Sequence, residues 1–103
     1  MFDNDDKAGF EDISRSLKKS RVRSEIIMYL YNNYPEASYP AEIAENTGID
    51  PTNILKGLNG SGRFGAAKSL LNQGVVEKME RGDVTYYRLS ERGKSLIEGM
   101  QGA

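Results

Sequence analysis

The chain has 103 residues and a formal net charge of −1, with 38% hydrophobic and 28% charged residues, which suits one globular domain with a single core. No apolar run reaches the length of about 20 residues that spans a membrane, and there is no apolar signal-peptide core, so we expect a cytoplasmic protein without membrane contact. The chain has no cysteine and no histidine, hence it lacks the commonest metal ligands, nucleophiles and general bases, and we expect no metal, no cofactor and no enzymatic activity.

Charge is distributed unevenly along the chain. Residues 1–12 hold five acidic residues and one lysine, a net charge of −4, which leaves ten acidic and thirteen basic residues, or +3, for the remainder. The low apolar content of this segment predicts a disordered acidic tail, followed by a single domain over residues 13–103. Within that domain, residues 13–23 and 51–76 contain bases and no acid. They are either solvated helix faces or, if the fold brings them together, a basic surface for phosphates.

Two apolar stripes at helical spacing precede Pro35. The second stripe predicts a long helix that turns six apolar residues toward the core: Val22, Ile26, Ile27, Leu30, Tyr31 and Tyr34. The first stripe consists of Phe10, Ile13 and Leu17, which lie on one side of a separate helical segment. This stripe docks either on the domain's own surface or on a second copy of the chain.

Two short amphipathic helices with a tight turn between them are predicted within residues 39–58. The first helix opens at Pro40 and ends at Gly48, which supplies the turn. The second helix has Asp50 as its N-cap and Pro51 at its first position. The positions expected to be buried are Ile43, Ala44 and Thr47 in the first helix and Ile54, Leu55 and Leu58 in the second. The positions left on the outside of the second helix are Thr52, Asn53 and Lys56.

A glycine-rich insert, residues 59–65, follows the second helix. Four glycines make this connection flexible or sharply bent: Gly57, Gly60, Gly62 and Gly65. The exposed side chains Asn59, Ser61 and Arg63 could contact a phosphate or enter a groove of a nucleic acid. The alternative is that the insert only orients a helix predicted over residues 66–73 for packing.

The apolar periodicity changes from helical to alternating after Gly74. The segments VVEKMER and VTYYRL, separated by Gly82 and Asp83, predict a two-stranded β-hairpin with a tight turn. Ser90 is the predicted N-cap of a last helix, whose buried positions are Leu96, Ile97 and Met100.

Two parts of the sequence resemble known DNA-binding regulators. The helix-turn-helix motif has small, turn and apolar positions that are occupied here by Ala44, Gly48, Ile49 and Ile54. The segment LLNQGVVEKMERGDVTYYRLSERGKSLIEGM, which begins at Leu70, is similar to the hairpin and closing helix of winged helix-turn-helix regulators of the MarR and ArsR type. The resemblance covers roughly residues 21–100. It implies an α+β winged helix-turn-helix fold, with a three-helix core, a two-stranded wing and extra helices at both termini.

The resemblance also implies a DNA-binding transcriptional regulator. Residues 50–59 would lie in the major groove of double-stranded DNA, and the wing around residues 81–83 would lie on the neighbouring backbone or minor groove. Such regulators commonly dimerise through terminal helices, which favours a homodimer through Phe10, Ile13 and Leu17. The residues expected to contact DNA are Thr52, Asn53, Lys56, Arg63, Lys68, Lys78, Arg81, Lys18, Lys19, Arg21 and Arg23.

A second interpretation involves a different class of partner. The same fold can serve as a winged-helix protein-interaction module without DNA binding, and a nearly neutral chain with surface tyrosines suits that role. The candidate contact residues are then Tyr29, Tyr39 and Tyr86. An enzyme is the least favoured class, because no grouping of lysines, tyrosines or carboxylates suggests a catalytic cleft.

Overall fold

The computed structural model describes residues 20–60 and 69–102. Four helices and one hairpin follow one another along these residues: α1 (Arg21–Asn32), α2 (Pro40–Thr47), α3 (Pro51–Asn59), β1 (Val76–Arg81), β2 (Val84–Leu89) and α4 (Glu91–Gly102). This α+β order is the predicted one. The acidic tail, the stripe of Phe10, Ile13 and Leu17, and the centre of the glycine-rich insert lie outside the described residues.

Helix α1 begins at a side-chain cap and ends earlier than predicted. The Ser20 hydroxyl accepts a hydrogen bond from the backbone N–H of Arg23 at 3.2 Å, which satisfies one of the unpaired donors of the first turn. At the other end, Asn33 caps the helix, and its side-chain amide donates to the carbonyl of Tyr29 at 2.7 Å. Tyr34 therefore follows the helix instead of belonging to it, as expected for a residue directly before proline.

The helix-turn-helix has the predicted boundaries. Gly48 ends α2 with a φ of +77°, a left-handed conformation that glycine adopts without steric cost. The Asp50 carboxylate accepts a hydrogen bond from the Thr52 N–H at 2.8 Å and so caps α3. The buried positions were predicted less well, because Thr47 is only half-buried and Leu55 is 43% exposed.

Gly57, and not Leu55, contributes to the core face of α3 beside Ile54 and Leu58. A Cβ atom at this glycine would lie 2.8 Å from Ile26 Cδ1 and 3.6 Å from Arg23 Cγ, both on α1. The two helices therefore approach too closely for a side chain at this position. Gly57 is a packing residue of α3, so the prediction that it belongs to a flexible connection is wrong.

The chain returns to α3 after the insert. The backbone N–H groups of Leu70 and Leu71 donate to the carbonyls of Gly57 and Leu58, at 3.0 and 3.1 Å, and so satisfy acceptors that the end of a helix leaves unpaired. Residues 69–74 form hydrogen-bonded turns. The helix predicted over residues 66–73 is therefore wrong in its described part.

The hairpin has the predicted strands and turn. Val76 pairs with Leu89 and Arg81 pairs with Val84, and Gly82 opens the turn with a φ of +62°, the conformation that a tight hairpin requires at this position. Two backbone hydrogen bonds of 2.7 Å join Tyr87 to Ser38, in the segment before α2. The base of the hairpin is thus attached to the helix-turn-helix.

Helix α4 closes the domain against the base of the hairpin. The Ser90 hydroxyl accepts from the N–H of Gly93 at 2.9 Å and donates to the carbonyl of Gly74 at 2.6 Å, which confirms the predicted N-cap. A Cβ atom at Gly93 would lie 2.2 Å from the carbonyl oxygen of Val75. Leu96 and Ile97 are buried as predicted. None of the described helices combines the length and the hydrophobicity that crossing a membrane requires.

Candidate nucleic-acid interface

Helix α3 has one face fixed in the core and one face exposed. Ile54 and Leu58 are fully buried, and burial of such side chains contributes roughly 1.5–3 kcal/mol each. Thr52, Asn53 and Lys56, the outward residues of α3, are all exposed, as the sequence predicts. The polar atoms of the Asn53 and Lys56 side chains have no hydrogen-bond or ion-pair partner within residues 20–60 and 69–102. No contact within the described part of the chain therefore occupies these atoms.

Asn59, at the end of α3, is tied to the hairpin. Its Oδ1 atom accepts a hydrogen bond from the hydroxyl of Tyr87 at 3.1 Å, and the Tyr87 ring is buried in the core. The sequence predicts Asn59 as an exposed contact for phosphate. The side chain is exposed as predicted, and its Oδ1 atom also helps to set the position of the hairpin relative to α3.

The two basic residues predicted on the hairpin lie on opposite faces of it. Lys78 pairs with Tyr87 across the strands, whereas Arg81 pairs with Val84 at the tip. Directly opposed residues share a face, and successive residues alternate between faces, so Lys78 lies on the face of Tyr87 and Arg81 lies on the other. Both are exposed, but one flat partner surface cannot receive both equally.

The hairpin has no net charge. Residues 76–89 contain three acidic and three basic residues. Arg88 is engaged by Glu77, with 2.9 Å between Nε and the carboxylate oxygen. Arg81 and Lys78 are thus the remaining cations for phosphate, and they share the hairpin with Glu80 and Asp83.

The first turn of α1 adjoins α3. Arg23 is half-buried and its Cγ atom lies close to Gly57, so parts of the two acid-free stretches do meet at the crossing of α1 and α3. Arg21 is exposed, with a side-chain exposure of 88%, and its Nε atom is 3.2 Å from the carboxylate of Glu25. Lys18, Lys19, Arg63 and Lys68 lie outside the described residues.

The tyrosines of the second interpretation occupy different environments. Tyr39 is 37% exposed and meets Tyr86 edge to face, with 5.8 Å between ring centroids. Met79 pairs with Tyr86 on the same face of the hairpin. Tyr29 is half-buried and packs against the core, and its hydroxyl accepts from the side chain of Asn46 at 3.3 Å. Tyr86 is half-buried, and the Tyr39–Tyr86 pair is the part of that set that is not packed against the core.

Two features of this interface were missed from the sequence. The Tyr87–Asn59 hydrogen bond joins residues far apart in the chain, and no local pattern indicates it. The exposure of Leu55 contradicts its residue type, although its position next to the polar residue Lys56 is a weak signal. Within residues 20–60 and 69–102, no group of three or more acidic side chains could hold a metal ion.

Comparison with known proteins places these elements in a family. The sequence model of the EarA-like family matches residues 13–100 of the chain. The protein MJ0905 of Methanocaldococcus jannaschii is 42% identical over 87 residues, which are 84% of this chain and 78% of that protein.

Solved structures share the fold. The homodimeric winged helix-turn-helix DNA-binding domain of Mb0332 from Mycobacterium bovis superposes with a TM-score of 0.62 and 23% identity, over 93% of this chain and 82% of that one. A mutant of Lactococcus lactis ZitR gives a TM-score of 0.60 and 21% identity, over 81% of this chain. The chain spans 51% of the length of that ZitR chain. The predicted winged helix-turn-helix fold is confirmed, with the β-hairpin as its wing.

Proposed function

This chain belongs to the EarA-like family, and from its fold and the outward face of α3 we propose that it is a DNA-binding transcriptional regulator. Helix α3 would enter the major groove of double-stranded DNA, with the tip of the hairpin on the neighbouring backbone. The observation that carries the proposal is the exposure of Thr52, Asn53 and Lys56 on a helix whose opposite face is anchored in the core.

The outward residues of α3 have the chemistry that base edges require. An asparagine amide can pair with adenine through two hydrogen bonds, a threonine hydroxyl can donate or accept, and a lysine can donate to guanine or to a phosphate. Asp50, the acidic residue at this end of α3, is occupied as the N-cap. Its charge lies near the helix N-terminus, which it stabilises.

Phosphate contacts would come from arginine and lysine side chains outside α3. Arg81 at the hairpin tip and Arg21 at the start of α1 are exposed, and Arg23 and Lys78 are further candidates. The remaining members of this set are Lys18, Lys19, Arg63 and Lys68. Such contacts add affinity and fix orientation, but they do not distinguish sequences.

Binding to duplex DNA as a function of salt concentration tests the proposal. If each protomer neutralises four to six phosphates, the slope of log K against log salt concentration is about −4 to −5 per protomer. Fluorescence anisotropy with a labelled random duplex at several salt concentrations measures this slope. A slope near zero, or no binding at about 50 mM salt, would contradict DNA binding.

Deletion of residues 1–12 provides a control on the electrostatics. It removes a net charge of −4 and should strengthen non-specific binding, because like charge repels the phosphate backbone. The salt series is repeated with the shortened chain. Unchanged affinity would mean that this segment lies far from the DNA.

We further propose that the protein acts as a homodimer through Phe10, Ile13 and Leu17, as the Mb0332 domain is homodimeric. Replacing these three residues by serine should convert a dimer to a monomer, measured by light scattering at several concentrations. Val84→Ser, which changes an exposed hydrophobic residue on the hairpin, is the matched control and should leave the dimer intact. A natural chain that is monomeric at high concentration contradicts this assignment.

One observation favours the protein-interaction alternative. The Tyr39–Tyr86 pair with Met79 provides an outward aromatic surface, and tyrosine and methionine are enriched at protein interfaces. The double substitution Tyr39→Ser and Tyr86→Ser distinguishes the two functions. DNA affinity that survives this change shows that the aromatic surface is not used for DNA, whereas a natural chain without any DNA affinity favours the protein-interaction alternative.

A further inference from the structure

Leu55 is the most exposed large hydrophobic side chain of the described residues, at 43%. The core does not need it, because Ile54 and Leu58 are fully buried and Gly57 meets α1. An exposed leucine costs solubility without contributing to the fold here. Its position on the proposed DNA-binding helix suggests a use in binding.

Leu55 lies at the edge of the outward face of α3, beside Thr52 and about 160° around the helix axis from Asn53. Since successive residues of a helix are about 100° apart, Leu55 is about 60° from Thr52 and about 40° from Asn59 around the axis. Asn59 has its carbonyl oxygen engaged by Tyr87. Leu55 is therefore the exposed side chain that lies, along α3, between Thr52 and the Asn59 contact with the hairpin.

We propose that Leu55 recognises thymine by packing against its 5-methyl group in the major groove. This inference rests on the proposed function and adds a specificity-determining residue to it. The thymine methyl is the apolar group that base edges display in the major groove, and apolar side chains distinguish thymine by contact with it. A leucine that is exposed in the free protein can bury its surface there without rearrangement of the core.

A thymine-to-uracil scan tests the proposal directly. Duplexes are first enriched from a random pool with the natural protein, and each thymine in the enriched site is then replaced by deoxyuridine. This change removes one methyl group and keeps base pairing. At one or two positions we expect the affinity of the natural protein to fall about fourfold, the effect of leaving one methyl group unburied.

Leu55→Ala, measured on the thymine and the uracil duplexes, completes a double-mutant cycle between the side chain and the methyl group. It should weaken binding to the thymine duplex by about tenfold or less, because alanine cannot reach the methyl group. At the same thymine positions, replacement by uracil should no longer affect the variant. The two changes are then coupled, which is the signature of direct contact. Leu55→Met keeps an apolar side chain of similar volume and should retain the sensitivity to uracil.

Met28→Ala is the matched control, since Met28 is exposed on α1 at 37% and this variant should respond to uracil as the natural chain does. If Leu55→Ala weakens binding but the uracil effects stay unchanged, Leu55 does not contact a thymine methyl and the proposal is wrong. If the natural protein binds selected DNA tightly and no uracil position matters, the proposal is also wrong while DNA binding stands. Failure to enrich any duplex would overturn the proposed function itself.

Discussion

Helix α3 and the hairpin carry the proposed DNA contacts, and the domain holds them in different ways. Helix α3 is fixed along its length, by Ile54, Gly57 and Leu58 on one face and by hydrogen bonds from Leu70 and Leu71 at its end. The hairpin is fixed at its base, through Tyr87 and Leu89, while Arg81 and Val84 at its tip are exposed. In the proposed function, α3 would therefore determine specificity through fixed geometry, whereas the hairpin would add adjustable contacts to the DNA backbone.

The contact between Gly93 of α4 and Val75, just before the hairpin, should be the most sensitive point for stability. Gly93→Ala would place a methyl group 2.2 Å from the backbone carbonyl of Val75, and this backbone atom can move away only if α4 separates from the segment that leads into β1. We expect a loss of about 3 kcal/mol or more in unfolding free energy, at the upper end of what overpacking costs. Chemical denaturation followed by circular dichroism measures it.

Gly99→Ala is the control for the previous substitution. Gly99 is exposed on the same helix, so alanine there should stabilise the domain by up to about 1 kcal/mol through helix propensity. Equal effects of the two substitutions would show that the close approach at Gly93 is not a constraint.

Substitutions on the two surfaces proposed to contact DNA should separate recognition of sequence from attachment to the backbone. Asn53→Ala and Thr52→Ala should reduce the preference for a selected site by about 1–3 kcal/mol per lost bidentate contact, with little change for random DNA. Arg81→Ala, and equally Lys19→Ala or Arg63→Ala, should weaken both and make the salt slope shallower by about one unit. Competition binding at several salt concentrations measures both effects.

If Arg63→Ala alters sequence preference, the glycine-rich insert contributes to recognition beside α3. If none of these variants affects DNA binding while thermal stability is retained, the fold does not act on DNA through these surfaces.

The contact between Gly57 of α3 and Ile26 of α1 should tolerate an added methyl group better than the contact between Gly93 and Val75. Gly57→Ala would bring a methyl group 2.8 Å from the end of the Ile26 side chain, which can rotate. Overpacking costs about 1–3 kcal/mol and helix propensity returns about 1 kcal/mol, so we expect a net loss of up to about 2 kcal/mol. Ile26→Val removes the opposing Cδ1 atom and should restore part of the stability of Gly57→Ala. Strict additivity of the two changes in unfolding free energy would argue against this contact.

The smallest effect on stability should come from the hydrogen bond between Tyr87 of the hairpin and Asn59 of α3. Tyr87→Phe keeps the buried ring and both backbone bonds to Ser38 but removes the hydroxyl that donates to Asn59. We expect a loss of about 1 kcal/mol in unfolding free energy. Tyr86→Phe is the matched control, because the hydroxyl of Tyr86 has no partner within the described part of the chain, and it should leave stability unchanged. An equal loss in both variants would show that the Tyr87–Asn59 hydrogen bond does not itself contribute to stability.

Much of the fold follows from local rules that can be applied directly to neighbouring residues in the sequence. Pro40, Gly48 and Asp50 fix the helix-turn-helix because a missing N–H, a left-handed turn and an N-cap are each decided within a few residues. Gly82 likewise fixes the hairpin turn. The outward position of Thr52, Asn53 and Lys56 follows from helical periodicity alone.

The packed face of α3 could not be obtained in this way. Periodicity assigns leucine to the core and glycine to a loop, so Leu55 was predicted as buried and Gly57 as a flexible position. The crossing of α1 over α3 reverses both assignments, because Ile26 leaves no room for a side chain at Gly57. A crossing distance depends on two helices at once, and neither helix encodes it alone.

The sequence by itself determined the helix-turn-helix, the hairpin and the closing helix in their order, the N-caps Asp50 and Ser90, the turns at Gly48 and Gly82, and the polar face of α3, since each depends on neighbours in the chain. Only the tertiary structure decided which glycines are packing positions, how Tyr87 of the hairpin holds Asn59 of α3, and that Leu55 faces outward. These features depend on contacts between distant segments, whose geometry is fixed when the whole core packs at once.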